Sequence, residues 1–436
     1  MFAVYRLGIV PFSEVRAMRY ECIKAKSLLS KKMEAESWFH INRSMNAYRG
    51  CEHGCVYCDG MSEGYHVESF LTHIRIKENA PEVLRRELKK EGFVSQSELE
   101  TETLWAYLDE DDATRIAEKT PRKQIIGASG GVSDAYQPAE GEHKVTRRVL
   151  ETLLDFGLPV YIQTKSDLVL RDLDLLKEIH ERAFANVVFT ITLHDEETQK
   201  ILEPRSSTTA ERFDALKEIR NAGLYGGVMA TPTIPGIGDN VENMERLAER
   251  AKRSRAEFIV WGGLTLKPGR QKDYFLNVVR RKFPGKLKLM ERIYENNHPY
   301  GHPIHNRLPV RVMTLGYGIC RKLGISDLSV RHRVPQEHEV NNKVLGVILD
   351  IMFRMRYSLG RAWSETDNFN ELATRLERGV DNLEELRESG ELSERLQLTT
   401  QMTEIVEEIM DRGTCGVLES LESDLDKLST RVFEQV

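Results

Sequence analysis

An α/β fold with a parallel sheet, followed by an all-helical C-terminal appendage, is predicted from three observations. Between about Trp38 and Lys267, short β-branched runs alternate with longer amphipathic stretches, the order of βαβ units in a parallel sheet. From residue 341 onward the pattern changes, and apolar positions recur every three or four residues, as on helices. The chain of 436 residues, with 40% hydrophobic and 30% charged content, is long enough for two or three folded units.

Residues 1–37 precede the pattern and read as an N-terminal extension. The α/β unit, 38–340, has candidate strands at 39–45, 124–128, 159–164, 186–193, 226–231 and 257–266. Between them lie candidate helices at 81–91, 146–156, 172–182, 209–222 and 241–254. Gly92, Gly157 and Gly223 follow three of these helices, where left-handed caps belong. An acidic stretch, 95–119, reads as an insertion. In the appendage, 341–436, helical stripes run through Phe369, Leu372, Leu376, Val380, Leu383 and Leu386, through Met402, Ile405, Val406, Ile409 and Met410, and through Leu418, Leu421, Leu425, Leu428 and Val432. Gly390 and Gly413 break the stripes, which predicts about four helices.

The chemistry concentrates in Cys51-Glu-His-Gly-Cys55-Val-Tyr-Cys58, three of the six cysteines within eight residues. A zinc site would need a fourth ligand at finger-like spacing, and Cys22, Cys320 and Cys415 stand alone. Three thiolates suit a [4Fe–4S] cluster that leaves one iron free to chelate a small molecule. The C-x3-C-x2-C spacing, with Tyr57 just before the last cysteine, resembles the signature of the radical S-adenosylmethionine (SAM) enzymes. That resemblance implies reductive cleavage of SAM to a 5′-deoxyadenosyl radical, with Cys51, Cys55 and Cys58 as cluster ligands. It also implies an electron donor of the flavodoxin or ferredoxin type.

The wider motif, Asn46 through Cys58, is similar to the cluster loop of the spore photoproduct lyase-like branch. Ser133-Asp-Ala-Tyr-Gln-Pro-Ala-Glu140, Thr164-Lys-Ser-Asp167 and Leu202-Glu-Pro-Arg205 match that branch as well. The resemblance spans roughly Cys22 to Lys267 and implies a partial (β/α)6 TIM-type barrel, with its chemistry at the C-terminal ends of the strands. By the same resemblance, Ser129, Gly130 and Gly131 form the turn that faces the methionine amino group. Lys165 looks like the lysine that pairs with the SAM carboxylate, with Ser166 beside it, and Thr192 is similar to a residue near the ribose or carboxylate. Tyr136 and Gln137 either face substrate or make a structural turn. Glu203 and Arg205 are expected as an ion pair, and Trp261 as a core residue. No cysteine lies between Cys58 and Cys320, so the hydrogen-donating cysteine of spore photoproduct lyase is missing. The chain is therefore not expected to be that lyase.

Charge is uneven. Residues 252–333 carry a net +13, whereas residues 361–436 carry −11. The acidic tail is expected to cap the barrel beside the basic segment, with dimerisation or docking of another protein as competing roles. The leading functional expectation is a radical SAM enzyme abstracting hydrogen from an unidentified substrate. A nucleic-acid substrate is the first alternative, with Phe275, Phe283, Tyr294 and Tyr300 stacking bases among the cations. A non-catalytic iron–sulfur assembly protein is the second. No run of about 18 apolar residues is present to span a membrane. The N-terminus does not read as a signal peptide, and a cytoplasmic location is expected.

Overall fold

The structure, a computed structural model, describes residues 18–32, 36–101, 123–128, 132–379 and 381–434. Its strands in chain order are β1 (Arg19–Ile23), β2 (Arg43–Ser44), β3 (Tyr48–Arg49), β4 (His73–Lys77), β5 (Ile126–Gly127), β6 (Val160–Thr164), β7 (Ala185–Thr190), β8 (Tyr225–Thr233) and β9 (Ile259–Gly263). The six expected strands form one sheet in the order β2-β5-β6-β7-β8-β9, every pair parallel, curled into a partial TIM-type barrel. The amphipathic runs between them fold as α1 (Ala80–Lys90), α2 (Val145–Asp155), α3 (Leu173–Arg182), α4 (Thr209–Asn221) and α5 (Val241–Arg253). Gly92, Gly157 and Gly223 take positive φ after their helices, as expected.

Five of the six strands come out shorter than their expected runs. Ile191 and Leu193, like Leu264 and Leu266, are buried, but beyond the ends of β7 and β9. There Leu193, Leu264 and Leu266 join Cys55, Val56 and Tyr57 in an apolar cluster at the barrel mouth, and Ile191 packs in the main barrel core, so burial rather than sheet pairing explains their hydrophobicity. Trp38 likewise precedes β2 and packs on Phe353 and Tyr357, at ring distances of 5.1 Å to each. A second, three-stranded sheet was not anticipated: β4 pairs parallel with β1 and antiparallel with β3. It draws part of the expected N-terminal extension into the fold. The expected insertion begins with the short helix Gln96–Thr101, and its residues 102–119 lie outside the described residues.

Beyond the sheet come α6 (Arg270–Lys282), α7 (Arg307–Leu323), α8 (Glu339–Phe353), α9 (Asp367–Arg378), α10 (Thr400–Arg412) and α11 (Gly416–Glu434), with short helices between α9 and α10. Stripe residues of α8, α9, α10 and the start of α11 bury one another in a core of their own, while Val432 packs against the barrel core, with Gly390 and Gly413 left-handed between helices. The tail does lie against the barrel. Gly318 of α7 receives Phe433 and Ser429 of α11, Tyr317 Oη donates to Asp426 Oδ1 at 2.9 Å, and Lys322 Nζ stands 3.7 Å from the Phe433 ring centre. Within the basic segment it contacts α7, Asn306, which donates to Gly360 O at 3.1 Å, and Arg331, which meets Glu377 at 3.0 Å. The cations of α6 and of the helix Leu287–Ile293 stay outside that contact.

Candidate active site

The cysteine loop covers the C-terminal ends of the barrel strands. Gly54 makes its tight turn possible: φ is +68°, and a Cβ there would stand 2.7 Å from Arg205 Nη2. The loop is tied down by its backbone. Val56 N donates to Leu202 O at 2.9 Å, Gln271 Nε2 to Tyr57 O at 2.9 Å, and Arg205 Nε to Glu52 O. Cys51 and Cys55 are buried and Cys58 is half-buried. Burial pushes all three thiols above their ordinary range. Asp134 and the other two cysteines add to this at Cys51, and Cys55 reaches about 12. The remaining cysteines sit outside this loop. Cys22 is exposed on β1, Cys320 accepts from Trp261 Nε1 at 3.4 Å, and Cys415 lies in the tail core.

Lys165 follows β6 directly. Its ammonium lies 5.9 Å from the Tyr57 ring centre. Among the described residues, it has no carboxylate within ion-pair distance. Burial pulls its pKa down, but Cys55, Glu203 and Asp134 outweigh that and hold it above the usual lysine range. Asp134, which sequence reading passed over within a matched segment, organises this corner. Its Oδ1 accepts from Thr164 Oγ1 at 2.7 Å and from Tyr136 N at 2.8 Å, and its Oδ2 accepts from Lys165 N at 2.8 Å. His53 Nε2, from inside the cysteine loop, lies 3.1 Å from the same Oδ2. Burial alone would raise this carboxyl, yet His53 and the donors hold it at about 2. One carboxylate thus joins the cysteine loop to the lysine backbone.

A second buried network supports Tyr57. Its hydroxyl donates to Glu203 Oε1, and Glu203 Oε2 accepts from Arg212 Nη2 at 2.5 Å. Both Glu203 and Arg212 side chains are fully buried. Arg212 Nη1 also donates to Thr190 O at 2.6 Å and its Nε to Ser207 O at 2.8 Å. The expected Glu203–Arg205 pair is therefore not made. Arg205 instead donates to the Glu52 and Leu71 carbonyls, because it packs under Gly54 on the far side of Pro204. Nothing in the sequence marked Arg212, an arginine on an ordinary amphipathic helix.

The other expected residues divide. Thr192 is buried, with its Oγ1 3.5 Å from Glu203 Oε1. Ser166 accepts from Leu168 N at 3.2 Å and so caps the turn after Lys165. Ser129, Gly130 and Gly131 lie outside the described residues. Tyr136 and Gln137 are fully buried and structural rather than substrate-facing. Tyr136 Oη donates to Asp172 Oδ2 at 3.1 Å, while Gln137 Oε1 accepts from Glu52 N at 2.9 Å and its Nε2 donates to Gly50 O at 3.2 Å. Trp261 is a core residue, as expected, filling the space that Gly316 leaves on α7. Of the four aromatics expected to stack bases, Phe275 and Tyr294 are wholly buried and Phe283 is half-buried; Tyr300 alone is exposed, at 69%.

Among the described residues, no three His, Cys, Asp or Glu side chains converge on a position for a single metal ion. The donor set nevertheless fits a cubane cluster, which is larger than one ion and takes three thiolates from one loop. An apolar shell of Leu193, Leu202, Ile234 and Phe275 surrounds Cys55, and Met61, Val67 and Phe70 surround Cys51.

Residues 45–251 match the model of the Radical SAM superfamily. An uncharacterized protein of Mycobacterium tuberculosis is 25% identical over 312 residues, 70% of this chain and 82% of its own length. An uncharacterized protein of Methanocaldococcus jannaschii is 28% identical over 200 residues, 45% of this chain and 61% of its own. Among solved structures, spore photoproduct lyase complexed with dinucleoside spore photoproduct aligns with a TM-score of 0.47 and 15% identity, over 70% of this chain and 79% of that one. No helix among the described residues is long and apolar enough to cross a membrane.

Proposed function

We propose that residues 45–251, which match the radical SAM superfamily model, form the catalytic domain of an enzyme that works with a [4Fe–4S] cluster and SAM, that Cys51, Cys55 and Cys58 hold the cluster, and that Lys165 receives the SAM carboxylate. The observation that carries this reading is three thiols on one loop facing a half-buried ammonium that, among the described residues, has no carboxylate within ion-pair distance. When bound, the group supplies one electron to the SAM sulfonium, whose cleavage starts hydrogen abstraction from a substrate at the mouth. This chain's residues set the stage for that step. Glu203 and Arg212 fix Tyr57 through its hydroxyl, beside Cys58. Asp134 holds the Lys165 backbone and faces His53. Ser166 and Thr192 complete the wall around the cofactor, and Ser129, Gly130 and Gly131 supply the turn against its amino group. The apolar shell keeps water from the thiols.

A nucleic-acid substrate is the second reading. The net +13 of residues 252–333 favours it, and the burial of Phe275 and Tyr294 weighs against it. A purely non-catalytic assembly role is set aside by the enzyme domain. The six free cysteines suit a reducing, cytoplasmic setting. Anaerobic reconstitution with iron, sulfide, SAM and dithionite tests the main reading: 5′-deoxyadenosine should form. A reducible cluster that leaves SAM intact would overturn it.

A further inference from the structure

A run of aromatic rings starts inside the barrel and ends on the tail. Trp261 faces outward against Gly316 of α7, so the next residue on β9, Gly262, faces the barrel interior. A Cβ at Gly262 would stand 3.0 Å from Trp38 Cη2, which puts the Trp38 ring against the inner wall. Glu36 holds the turn that carries Trp38, its carboxylate accepting from Trp38 N at 2.5 Å and from Phe39 N at 2.7 Å. Trp38 meets Tyr357 edge to face, at 5.1 Å between ring centres, and Phe353 packs against both rings at 5.1 and 5.2 Å. Tyr357 in turn meets Trp363 at 6.1 Å, again edge to face. Trp38 and Tyr357 are half-buried, whereas Trp363 is 61% exposed.

Three features set this run apart from ordinary core packing. The first is backbone. Helix α8 ends in a π turn, Arg354–Ser358, which brings Tyr357 to Trp38, and such turns are rare and collect at functional sites. The second is charge. The Arg356 guanidinium lies 4.3 Å over the Trp363 ring, and a cation on the face of an indole makes an electron harder to remove from it. An oxidising equivalent that moves outward along the rings therefore rests on Tyr357, one ring short of solvent. The third is the setting of that phenol. Burial pushes it above its ordinary range, a hydrogen bond from the Trp38 side chain opposes this, and Glu36 adds to it. Trp38 and Tyr357 both lie outside residues 45–251, so the pair belongs to this chain rather than to the matched domain.

We propose that Trp38 and Tyr357 form a radical relay, which takes the oxidising equivalent of a stray carbon radical out of the barrel and holds it on the tail. A carbon radical in the barrel takes the hydrogen atom of Trp38 Nε1, so that a C–H bond forms and the N–H bond breaks. The indole radical then takes the hydrogen atom of the Tyr357 hydroxyl. The N–H bond re-forms, and a phenoxyl radical is left on Tyr357. One electron from a low-potential one-electron reductant, with one proton from water, restores the phenol. The relay rests on the radical SAM reading for its source of radicals, and extends it to the fate of a radical that meets no substrate.

Two measurements test the relay, the first without any cofactor. In cluster-free protein, azide radicals made by pulse radiolysis oxidise exposed indoles, Trp363 among them. The indole-radical absorbance should decay while phenoxyl absorbance grows, because Tyr357 is the easier ring to oxidise. Tyr357→Phe should lose that growth, and Tyr300→Phe, at an exposed ring, should keep it. In the second measurement the reconstituted holoenzyme receives SAM and one equivalent of dithionite, without substrate, and is freeze-quenched for electron paramagnetic resonance. The parent should show a phenoxyl signal that narrows when ring-deuterated tyrosine is incorporated. Tyr357→Phe and Trp38→Phe should both lose it, with iron content and unfolding midpoint near the parent's. A phenoxyl signal that survives Tyr357→Phe overturns the relay, as does 5′-deoxyadenosine formed by the parent with no phenoxyl signal. If dithionite yields no 5′-deoxyadenosine from the parent, the radical SAM reading fails instead. The radiolysis result then decides by itself whether Tyr357 takes the oxidising equivalent from its indole neighbours.

Discussion

The two ends of the barrel both bury charge, but they satisfy it differently. At the floor, where the strands begin, the chain supplies its own counter-charges. Arg354 of the tail donates to both oxygens of Asp327 at 2.5 and 2.8 Å, and Arg331 meets Glu337 at 3.1 Å and Glu377 at 3.0 Å. At the mouth, no carboxylate among the described residues stands within ion-pair distance of Lys165, and three thiols share one loop with that ammonium acting on Cys55 and Cys58. Charge paired within the chain holds the tail to the barrel. On the proposed reading, the ammonium left without an ion-pair partner at the mouth is where the cofactor binds.

The comparison breaks most sharply at the cysteines. Replacing Cys51, Cys55 or Cys58 with Ala should abolish the cluster, read as iron content and visible absorbance. Cys22→Ala, Cys320→Ala and Cys415→Ala should each keep it. Loss of iron in one of the latter three would contradict the ligand assignment.

At the floor, Arg354→Leu strands Asp327 in a buried position and should cost about 3–5 kcal/mol of stability in denaturant unfolding. SAM affinity of the protein that remains folded should not change. Lys165→Ala should show the reverse. Iron content and unfolding midpoint stay near the parent's, while SAM binding weakens by about 1.5–3 kcal/mol as a charge-assisted bond is lost. A Lys165 variant that binds SAM normally would return that residue to an ordinary strand end.

The smallest expected effect concerns Asp350 on α8, near Arg354. Burial pushes its carboxyl up to about 7; Arg354 opposes the shift, while Asp327 and Glu422 reinforce it. Because the folded value exceeds the unfolded one, the native state holds this proton more tightly, and its contribution to stability falls as pH rises from about 4 to 7. Asp350→Asn should remove that slope and stabilise the protein at pH 8 by roughly 1–2 kcal/mol. An unchanged pH profile would show that Asp350 stays ionised in the fold.

The mouth's proposed ligands were legible before its supports were. The cysteine spacing and the lysine at the end of the third barrel strand could be read from local sequence, because ligand chemistry selects residue type and interval. The supports could not. Asp134 joins β6 to the cysteine loop across 81 positions of chain from His53, and Arg212 reaches Glu203 from an outer helix. Tyr136 and Gln137 looked equally suited to substrate or to a turn until their burial decided for the turn.

By itself, the sequence determined what local chemistry and periodicity can determine. It set six strands alternating with helices, glycines at helix ends, three thiols in one loop, and a helical tail with its own apolar stripes. Only the tertiary structure decided which apolar runs pair in the sheet and which pack beside the cysteines, since Leu193, Leu264 and Leu266 are buried either way. It also decided that Glu203 pairs with Arg212 rather than Arg205, and that the acidic tail covers α7 but leaves α6 free. The physical reason is the same in each case. Burial and charge pairing are properties of neighbours in space, and residues far apart in the chain become neighbours only when the barrel closes.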